Sequence, residues 1–309
     1  MIGRITNQMS AQMTLSGIET ALDRLDTTQQ ELSTGKSINQ PSDNPSGTAL
    51  TLTLNTDLSN LTTYSNQVTD GTGWSQAAST ALSDITNSVQ RIQELTTEAA
   101  NGTQTPADMQ ASAQEVNQLI DEIKQDANTQ YNGQYVFSGT ATSTAPYQSG
   151  SNDSYGGNTG QVTRTIGPNT TLAVNANLQS VLGTGQTVSG QPAGDGLLLN
   201  SLRNIADNMQ SGNSSAVSSD LSSLSTNLNS LTGLSANVGA TQDRLQMASS
   251  RIQTLQTSDT QVLSNTQDAD MASTEISYST QQAALTAALQ AGANIVQQSL
   301  MNFLDTSYG

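Results

Sequence analysis

Proline is missing from two long stretches of this chain, and its distribution restricts the fold more than any other sequence feature. No proline lies between Pro45 and Pro106, and none follows Pro192 in the 309-residue chain. Half of the 24 glycines fall between Gly133 and Gly196, where three of the six prolines also lie. Because proline interrupts helices and glycine weakens them, we predict long helices in both flanks and a β or loop insertion between them.

Apolar residues in the flanks recur at alternating intervals of three and four residues, the spacing that packs helices in coiled coils. We call each such set of residues a seam. The longest seam comprises Val217, Leu221, Leu224, Leu228, Leu231, Ser235, Val238, Gln242, Leu245, Ser249 and Ile252. A seam near the N-terminus comprises Leu15, Ile18, Leu22, Leu25, Gln29 and Leu32. Since polar residues occupy several of these positions, the seams are weak and need neighbouring helices.

Further helices are predicted around these two seams. One runs from about Ala49 to Ala100, and Gly71 and Gly73 are expected to weaken or bend it. Another begins with Pro106 in the first helical position, which proline favours. Its seam comprises Met109, Ala113, Val116, Ile120, Ile123 and Ala127. A last helix is predicted after Asp268.

The middle of the chain is almost without charge and favours β structure. Between residues 134 and 194 only Asp153 and Arg164 are charged. Short β-prone runs, bounded by turn residues, indicate a small antiparallel insertion. The runs are Tyr135–Ser138, Gln161–Ile166 and Thr170–Val174.

These patterns together predict a mainly α, elongated protein with a small β-rich inserted domain. The N- and C-terminal flanks would form an antiparallel helical bundle, or coiled-coil rods. A terminal domain would combine residues 1–40 with 268–309, and a helical rod domain would combine residues 41–133 with 195–267. Residues 134–194 would form the insertion.

Charge and composition exclude several classes of function. The chain has 9 lysines and arginines against 25 acidic residues, a net charge of −16, so we expect no nucleic-acid or membrane binding. It has no cysteine and no histidine, which excludes disulfides, thiol nucleophiles and histidine catalysis. The N-terminal residues lack the apolar stretch of a cleaved signal peptide, and no segment is apolar enough to span a bilayer.

Two groups of carboxylates are the candidates for catalytic or metal chemistry. Asp268 and Asp270 lie next to the last predicted helix, and Asp121, Glu122 and Asp126 cluster on another helix. A hydrolase or a metal site would need such groups to converge in a pocket. Because no catalytic partner accompanies them, we interpret the first group as a helix cap and the second as a solvated face. We expect no enzymatic activity, no metal and no cofactor.

A connector between the first two helices carries the first recognisable motif. Gly35 stops the first helix, and Pro41 and Pro45 close the polar turn that follows. The run Ser33-Thr34-Gly35-Lys36-Ser37-Ile38-Asn39-Gln40-Pro41-Ser42-Asp43-Asn44-Pro45 resembles the segment between the first two helices of flagellin-superfamily proteins. Ser37 departs from that pattern, because the family usually has Arg there.

Other segments extend the resemblance and point to one branch of the superfamily. Asn132–Thr140, with Pro146 and Tyr147 after it, is similar to a segment of the hook–filament junction proteins. The pair Pro41 and Pro45 favours the same branch. The C-terminal runs Gln281–Gln290 and Ser299–Leu304 resemble the helical end of the family.

The resemblance implies a structural subunit of the bacterial flagellum that joins the hook to the filament. It implies that the terminal helices form an inner tube domain and that the insertion points outward. The chain would leave the cell by the flagellar type III route, without a cleaved signal peptide, and assemble extracellularly at the distal hook. Its partners would be copies of itself in a ring or helical assembly, a neighbouring hook-associated protein, flagellin and a cytoplasmic export chaperone.

The same resemblance suggests which residues act in assembly. Contacts between subunits in the inner tube are expected from Ile2, Ile5, Met9, Leu285, Leu289, Val296 and Phe303. The connector that lets the inner and outer layers change angle is expected from Gly35, Lys36, Asn39, Pro41, Asp43 and Pro45.

Two other functions remain open from the sequence. One is a flagellin proper, the bulk subunit of the filament. The other is a secreted coiled-coil adhesin or needle-tip protein outside the flagellum.

Overall fold

The computed structural model of the chain describes residues 7–184, 195 and 197–306. These residues are mainly helical, with two small β-hairpins, which confirms the predicted fold class. The helices are α1 (Asn7–Thr34), α2 (Pro45–Ala100), α3 (Pro106–Ala127), α4 (Gln179–Leu182), α5 (Leu198–Gln210), α6 (Ser214–Gln267) and α7 (Met271–Thr306). The strands are β1 (Gln130–Tyr131), β2 (Gln134–Tyr135), β3 (Thr163–Gly167) and β4 (Thr170–Ala173). Within the described residues, no helix combines the length and the apolar character needed to cross a membrane.

The chain divides into two compact units. One comprises Met1–Ser59 with Gln256–Gly309, and we call it the terminal unit. The other comprises Asn60–Leu255, and we call it the central unit. The predicted division into three domains, with boundaries after residues 40, 133, 194 and 267, stays a prediction.

The seam of α6 confirms the coiled-coil spacing within the central unit. Every seventh residue of the helix is buried, starting from Val217. The seam residues that lie between these buried ones are half-buried. The buried set is Val217, Leu224, Leu231, Val238, Leu245 and Ile252. Because seven residues make nearly two helical turns, this set forms one continuous apolar line along the helix.

The seam of α3 is also confirmed, and the helix begins at Pro106, as the sequence predicted. Met109, Ala113, Val116, Ile120, Ile123 and Ala127 are all buried. At the helix start, Thr105 and Asp108 exchange side-chain and backbone hydrogen bonds in a capping box, and Pro106 follows the cap. The cap satisfies backbone N–H groups that have no partner inside the helix.

Helix α2 continues through Gly71 and Gly73 without a break. That these glycines weaken or bend the helix stays a prediction. Both glycines lie where another element approaches the helix closely. A Cβ on Gly71 would lie 3.1 Å from Val174 Cγ1, and one on Gly73 would lie 2.5 Å from Tyr131 Cζ. The absence of a side chain therefore makes room for packing.

The two hairpins correct the predicted strands. Strands β3 and β4 pair antiparallel, with Thr163 opposite Ala173, as the second and third β-prone runs predicted. The first run, Tyr135–Ser138, was predicted as a strand, but β2 ends at Tyr135. Val136 and Phe137 lie in a turn and are fully buried, so their apolar character reflects the core and not a strand.

Helix α5 was missed by the sequence reasoning. It places one apolar face into the core of the central unit, at Leu198, Leu199, Leu202, Ile205, Ala206 and Met209. The spacing of these residues carries the helical signal, but the glycine-rich region just before them obscured it.

Candidate assembly surface

Helices α1 and α7 pack against each other in the terminal unit through a narrow contact. The contact is made of small and polar groups as much as of apolar ones. A Cβ on Gly292 would lie 3.4 Å from both Ile18 Cδ1 and Thr14 Cγ2. Farther along, Thr28 Oγ1 donates to Gln281 Oε1 across 2.9 Å. Such a contact buries little apolar surface, so it stabilises the helix pair weakly.

Large apolar side chains lie exposed on the terminal unit. Met13 is 67% exposed on α1, and Ile276 is 69% exposed on α7. Other exposed members are Met9, Leu15, Leu22, Leu50, Leu52, Val262, Met271 and Leu289. By contrast, Ile38 and Leu54 are the buried apolar residues among the described part of this unit. Among the described residues of this unit, many large apolar side chains are exposed and few are buried, as expected of helices that contact a partner.

The seam predicted for α1 was wrong at three of its six positions, which include the polar and exposed Gln29. Ile18, Leu25 and Leu32 are half-buried, but Leu15 and Leu22 are exposed. Helix α7 covers only one face of α1, and Leu15 and Leu22 lie outside the contact. The described part of α1 therefore has an apolar face without an intramolecular partner.

The residues predicted to make assembly contacts are placed only in part. Met9 and Leu289 are exposed, and Leu285 is half-buried. Ile2 and Ile5 lie outside the described residues. Val296 and Phe303 lie within α7, but their side chains are outside the description. These contacts stay a prediction.

The connector after α1 is paired with the connector before α7. Gly35, with a φ of 69°, ends α1 in the left-handed conformation that glycine adopts readily. Ser37 N donates to Gln267 O across 2.7 Å, and Ala269 N donates to Gly35 O across 2.9 Å. Lys36 and Asp268 form the bridge between these bonds. The two connectors thus hold each other through backbone hydrogen bonds.

Asp43 organises the rest of the connector. Its Oδ2 atom accepts hydrogen bonds from Asn39 N at 3.0 Å and from Gln40 N at 2.9 Å. These bonds hold the pKa of Asp43 below its usual value. Asn39 Nδ2 donates to Lys36 O across 2.8 Å. Pro41 lies in the turn that these bonds close, and Pro45 is the first residue of α2.

The carboxylates considered for catalysis have structural roles or lie apart. Asp270 Oδ1 accepts from Ala272 N at 3.1 Å, which confirms the predicted cap of α7. Asp268 Oδ2 accepts from Ser264 Oγ at 2.6 Å. Among residues 7–184, 195 and 197–306, no group of three or more acidic residues is arranged to hold a metal ion.

The acidic cluster on α3 is partly buried. Desolvation raises the pKa of Asp126 to about 6, and the charges of Asp84 and Glu122 add to the shift. Asp121 instead accepts a hydrogen bond from Gly150 N at 3.3 Å. The interpretation as a solvated helical face therefore holds for exposed Glu122 but not for half-buried Asp121 and Asp126.

A buried ionic network was missed by the sequence reasoning. Lys124 Nζ donates to Asp153 Oδ1 across 2.9 Å, and Arg203 Nε donates to Asp153 Oδ2 across 3.0 Å. Lys124 also donates to the carbonyl oxygens of Gly150 and Asn152. Burial alone would raise the pKa of Asp153, but the hydrogen bonds from Arg203 and Lys124 outweigh it and lower that pKa. The network joins α3, α5 and the loop between the hairpins.

The second charged residue of the middle segment also binds a helix. Arg164 Nε donates to Asp70 Oδ2 across 2.6 Å, and its guanidinium lies 5.9 Å from the ring centroid of Trp74. The signal that pointed to both contacts is the near absence of charge between residues 134 and 194, because a charge that is buried in such a segment needs a specific partner.

Comparison with known protein families finds two matches in the chain. The model of the bacterial flagellin N-terminal helical region matches residues 5–142, and that of the C-terminal helical region matches residues 221–304. The two matches together cover more than two thirds of the chain. The chain belongs to the flagellin family. No curated protein sequence matches it.

Solved structures similar to this flagellin-family chain include flagellar proteins of three bacteria. A protein of Vibrio parahaemolyticus, assigned as a flagellar hook-associated protein, has a TM-score of 0.63 at 19% identity, covering 73% of this chain and 100% of that one. Bacillus cereus FlgL has a TM-score of 0.55 at 19% identity, with 69% and 97% covered. The flagellar junction protein FlgL of Legionella pneumophila has 0.56 at 14% identity, with 72% and 100% covered. These similarities show a shared fold.

In this flagellin-family chain, the matched regions contain both the apolar surface and the paired connectors. Residues 143–220, between the two matches, hold β3, β4, α4 and α5. The exposed apolar residues of α1 and α7 therefore belong to the part that the family shares. Arg164 lies outside the matches and contacts Asp70 and Trp74 inside the N-terminal match.

Proposed function

We propose that the chain is a structural axial subunit of the bacterial flagellum that joins the hook to the filament. The observation that carries this proposal is the terminal unit, whose described helices expose large apolar side chains and bury few. In a flagellin-family chain, such a surface is suited to contact with neighbouring subunits. Copies of the chain, arranged in a ring or helical assembly, would cover it.

The energetics of the terminal unit fit folding that is coupled to assembly. Two long helices that share a thin contact gain little from packing, and isolated helices are marginally stable in water. Burial of an exposed Leu or Met side chain contributes about 1.5–3 kcal/mol. Several such side chains on each copy therefore supply a substantial driving force for association.

The role at the junction, and not along the filament, is supported by two features. The connector contains both Pro41 and Pro45, the pattern that resembles the junction branch of the family. The similar solved structures include proteins described as hook-associated and junction proteins. We propose as partners a neighbouring hook-associated protein on one side and flagellin on the other, with an export chaperone in the cytoplasm.

Export and chemistry complete the proposal. The chain would leave the cell through the flagellar type III route without a cleaved signal peptide and remain extracellular. Its function would require no cofactor and no catalytic residue. Mass spectrometry of the secreted chain should find Met1 or Ile2 at its N-terminus, and a chain shortened by a signal-peptide length would contradict this route.

A strain without this chain tests the proposed role. We expect hooks without filaments, and intact flagellin released into the medium. A flagellin proper would instead leave bare hooks with no released flagellin, and an adhesin or tip protein would leave attached filaments and normal swimming. Either of these two results would overturn the junction role.

A truncated chain tests the role of the terminal unit. Removal of residues 285–309 should abolish filament attachment and leave the central unit folded, because its core lies between residues 60 and 255. Circular dichroism and a proteolysis time course would check folding, and the full-length chain from the same plasmid is the control. Attached filaments in the truncated strain would contradict the assignment of the assembly surface.

A further inference from the structure

The central unit of this acidic chain exposes two arginines that have no ion pair within the described residues. Arg91, Lys124, Arg164 and Arg203 each form a salt bridge with a carboxylate. Arg244 and Arg251 form none among the residues that the structure describes, and both are exposed on α6. Four of the eight lysines and arginines that the structure describes form such an ion pair. Arg244 and Arg251 leave two positive charges exposed on the same helix, in a chain with 25 acidic residues.

The two arginines lie on one face of α6 together with exposed apolar residues. They are seven residues apart, which places them two turns apart on the same side of the helix. Met247, between them, is 66% exposed, and Leu255, one turn beyond Arg251, is 43% exposed. Arg251 Nη2 would lie 3.0 Å from a Cβ on Gly167, so its guanidinium lies against the β3–β4 turn. We call Arg244, Met247, Arg251 and Leu255 the arginine face.

A complementary surface lies elsewhere on the central unit. Asp84 on α2 and Glu122 on α3 are exposed, and Asp126 on α3 is half-buried. No cation pairs with any of the three in the described part of the chain. Glu122 and Asp126 are four residues apart on α3, so they share one side of that helix. Besides burial, the charge of Asp84 raises the pKa of Asp126, as expected for a neighbouring carboxylate. We call these three residues the acidic face.

We propose that the arginine face of one copy binds the acidic face of a second copy of this chain. This inference rests on the proposed function, because it requires copies to lie side by side. In this contact, the two arginines face the three carboxylates. The side chains of Met247 and Leu255 are removed from water when the two faces pack together. Since every copy carries a net charge of −16, a contact between opposite charges offsets part of the repulsion between copies.

The geometry of this contact determines the kind of assembly. The arginine face lies on α6 and the acidic face lies on α2 and α3, so the contact joins two different surfaces. A contact between different surfaces is heterologous, and it generates a ring or a helical array instead of a closed dimer. The proposed contact therefore specifies the register between adjacent copies.

Cross-linking of engineered cysteines tests the contact in the full chain. The chain has no cysteine of its own, so the two introduced thiols are the only ones. Met247→Cys and the exposed Gln125→Cys, next to Asp126, would be combined in one chain and treated with a short bismaleimide on assembled flagella. We expect a ladder of oligomers. The matched control combines Met247→Cys with Ser222→Cys, an exposed position elsewhere on α6, and should give no ladder.

Charge reversal tests whether electrostatic attraction forms the contact. Arg244→Glu with Arg251→Glu should reduce the ladder about tenfold, because like charges then face each other. Adding Asp84→Arg with Glu122→Arg should restore it. A missing ladder in cells whose filaments remain attached would overturn this contact and leave the proposed function intact. A ladder that charge reversal does not change would also overturn it.

Discussion

Lys124 on α3 donates a hydrogen bond to Asp153 in the loop between the hairpins, across 2.9 Å, with the lysine side chain 1% exposed. A buried cation is tolerated only with a compensating charge and a full set of hydrogen bonds. The carbonyl oxygens of Gly150 and Asn152 complete the set, and Arg203 makes a second ion pair to the same carboxylate. Both ion pairs of this network therefore depend on one aspartate, Asp153.

Replacement of that aspartate should destabilise the central unit strongly. Asp153→Ala leaves Lys124 buried with carbonyl partners only, and we expect a loss of about 3–5 kcal/mol in the free energy of unfolding. Urea denaturation followed by far-UV circular dichroism would measure it. Arg91→Ala, which removes an exposed ion pair with Glu94 and Glu115, is the control and should leave the transition midpoint near that of the natural chain. A loss equal to that of the control would contradict the role of the network.

Local periodicity explains which parts of the fold the sequence predicts well. The residues of α6 from Val217 to Ile252 repeat every seven positions, and one apolar face meets one core. In α1 the same spacing predicted Leu15 and Leu22 at the packed contact, and both are exposed. Periodicity locates an apolar face but does not say whether the partner that covers it belongs to the same chain.

Long-range pairing explains what the sequence reasoning missed. Lys124, Asp153 and Arg203 are far apart in sequence, and no spacing rule brings them together. The connector motif was recognisable from its glycine and prolines, but its pairing with Gln267 and Ala269 depends on where α6 ends. The arginine face was missed for the same reason, since an exposed arginine differs from a paired one only in its surroundings.

The raised pKa of Asp126 predicts a pH-dependent stability. The pKa of Asp126 in the folded state is about 6, above the 3.8 of an unperturbed aspartate, so ionisation disfavours the folded state. The penalty is complete above about pH 6 and disappears below about pH 4. Asp126→Asn removes it and should increase the free energy of unfolding at pH 7 by about 1 kcal/mol, after allowance for solvent screening.

The comparison of two pH values makes this prediction specific. The advantage of Asp126→Asn should be present at pH 7 and absent at pH 4, in urea titrations of dilute protein. Asp207→Asn on α5, at an exposed position, is the control. An advantage of the same size at both pH values would indicate a cause other than ionisation.

Gly35 should tolerate a side chain poorly, in contrast to Gly17. Gly35 has a φ of 69°, where a Cβ is strained, so Gly35→Ala should destabilise the terminal unit by about 1 kcal/mol. Hydrogen exchange should become faster at the amides of Ser37 and Ala269, which pair the two connectors. Gly17 lies within α1 with nothing within 4 Å of an added Cβ, so Gly17→Ala should stabilise the helix by about 0.5–1 kcal/mol. If Gly35→Ala and Gly17→Ala changed the free energy of unfolding in the same direction, the explanation from the φ of Gly35 would be contradicted.

Gly73 provides the same comparison inside the central unit. A Cβ on Gly73 would lie within 2.5 Å of Tyr131 Cζ, so the gain in helix propensity of Gly73→Ala should be outweighed by displacement of that ring. We expect a net loss of about 1–3 kcal/mol in the free energy of unfolding. Trp74, the one tryptophan of the chain, lies 6.3 Å from the Tyr131 ring centroid, so its fluorescence should change as the ring moves.

Gly233 on α6 is the matched control for Gly73, because nothing lies within 4 Å of an added Cβ there. Gly233→Ala should gain about 1 kcal/mol from helix propensity and leave the fluorescence of Trp74 unchanged. Since both substitutions replace a helical glycine with alanine, the difference between them isolates the contact with Tyr131. A stabilised Gly73→Ala chain with unchanged fluorescence would show that the ring yields without cost, and that Gly73 is not required for the packing of the first hairpin on α2.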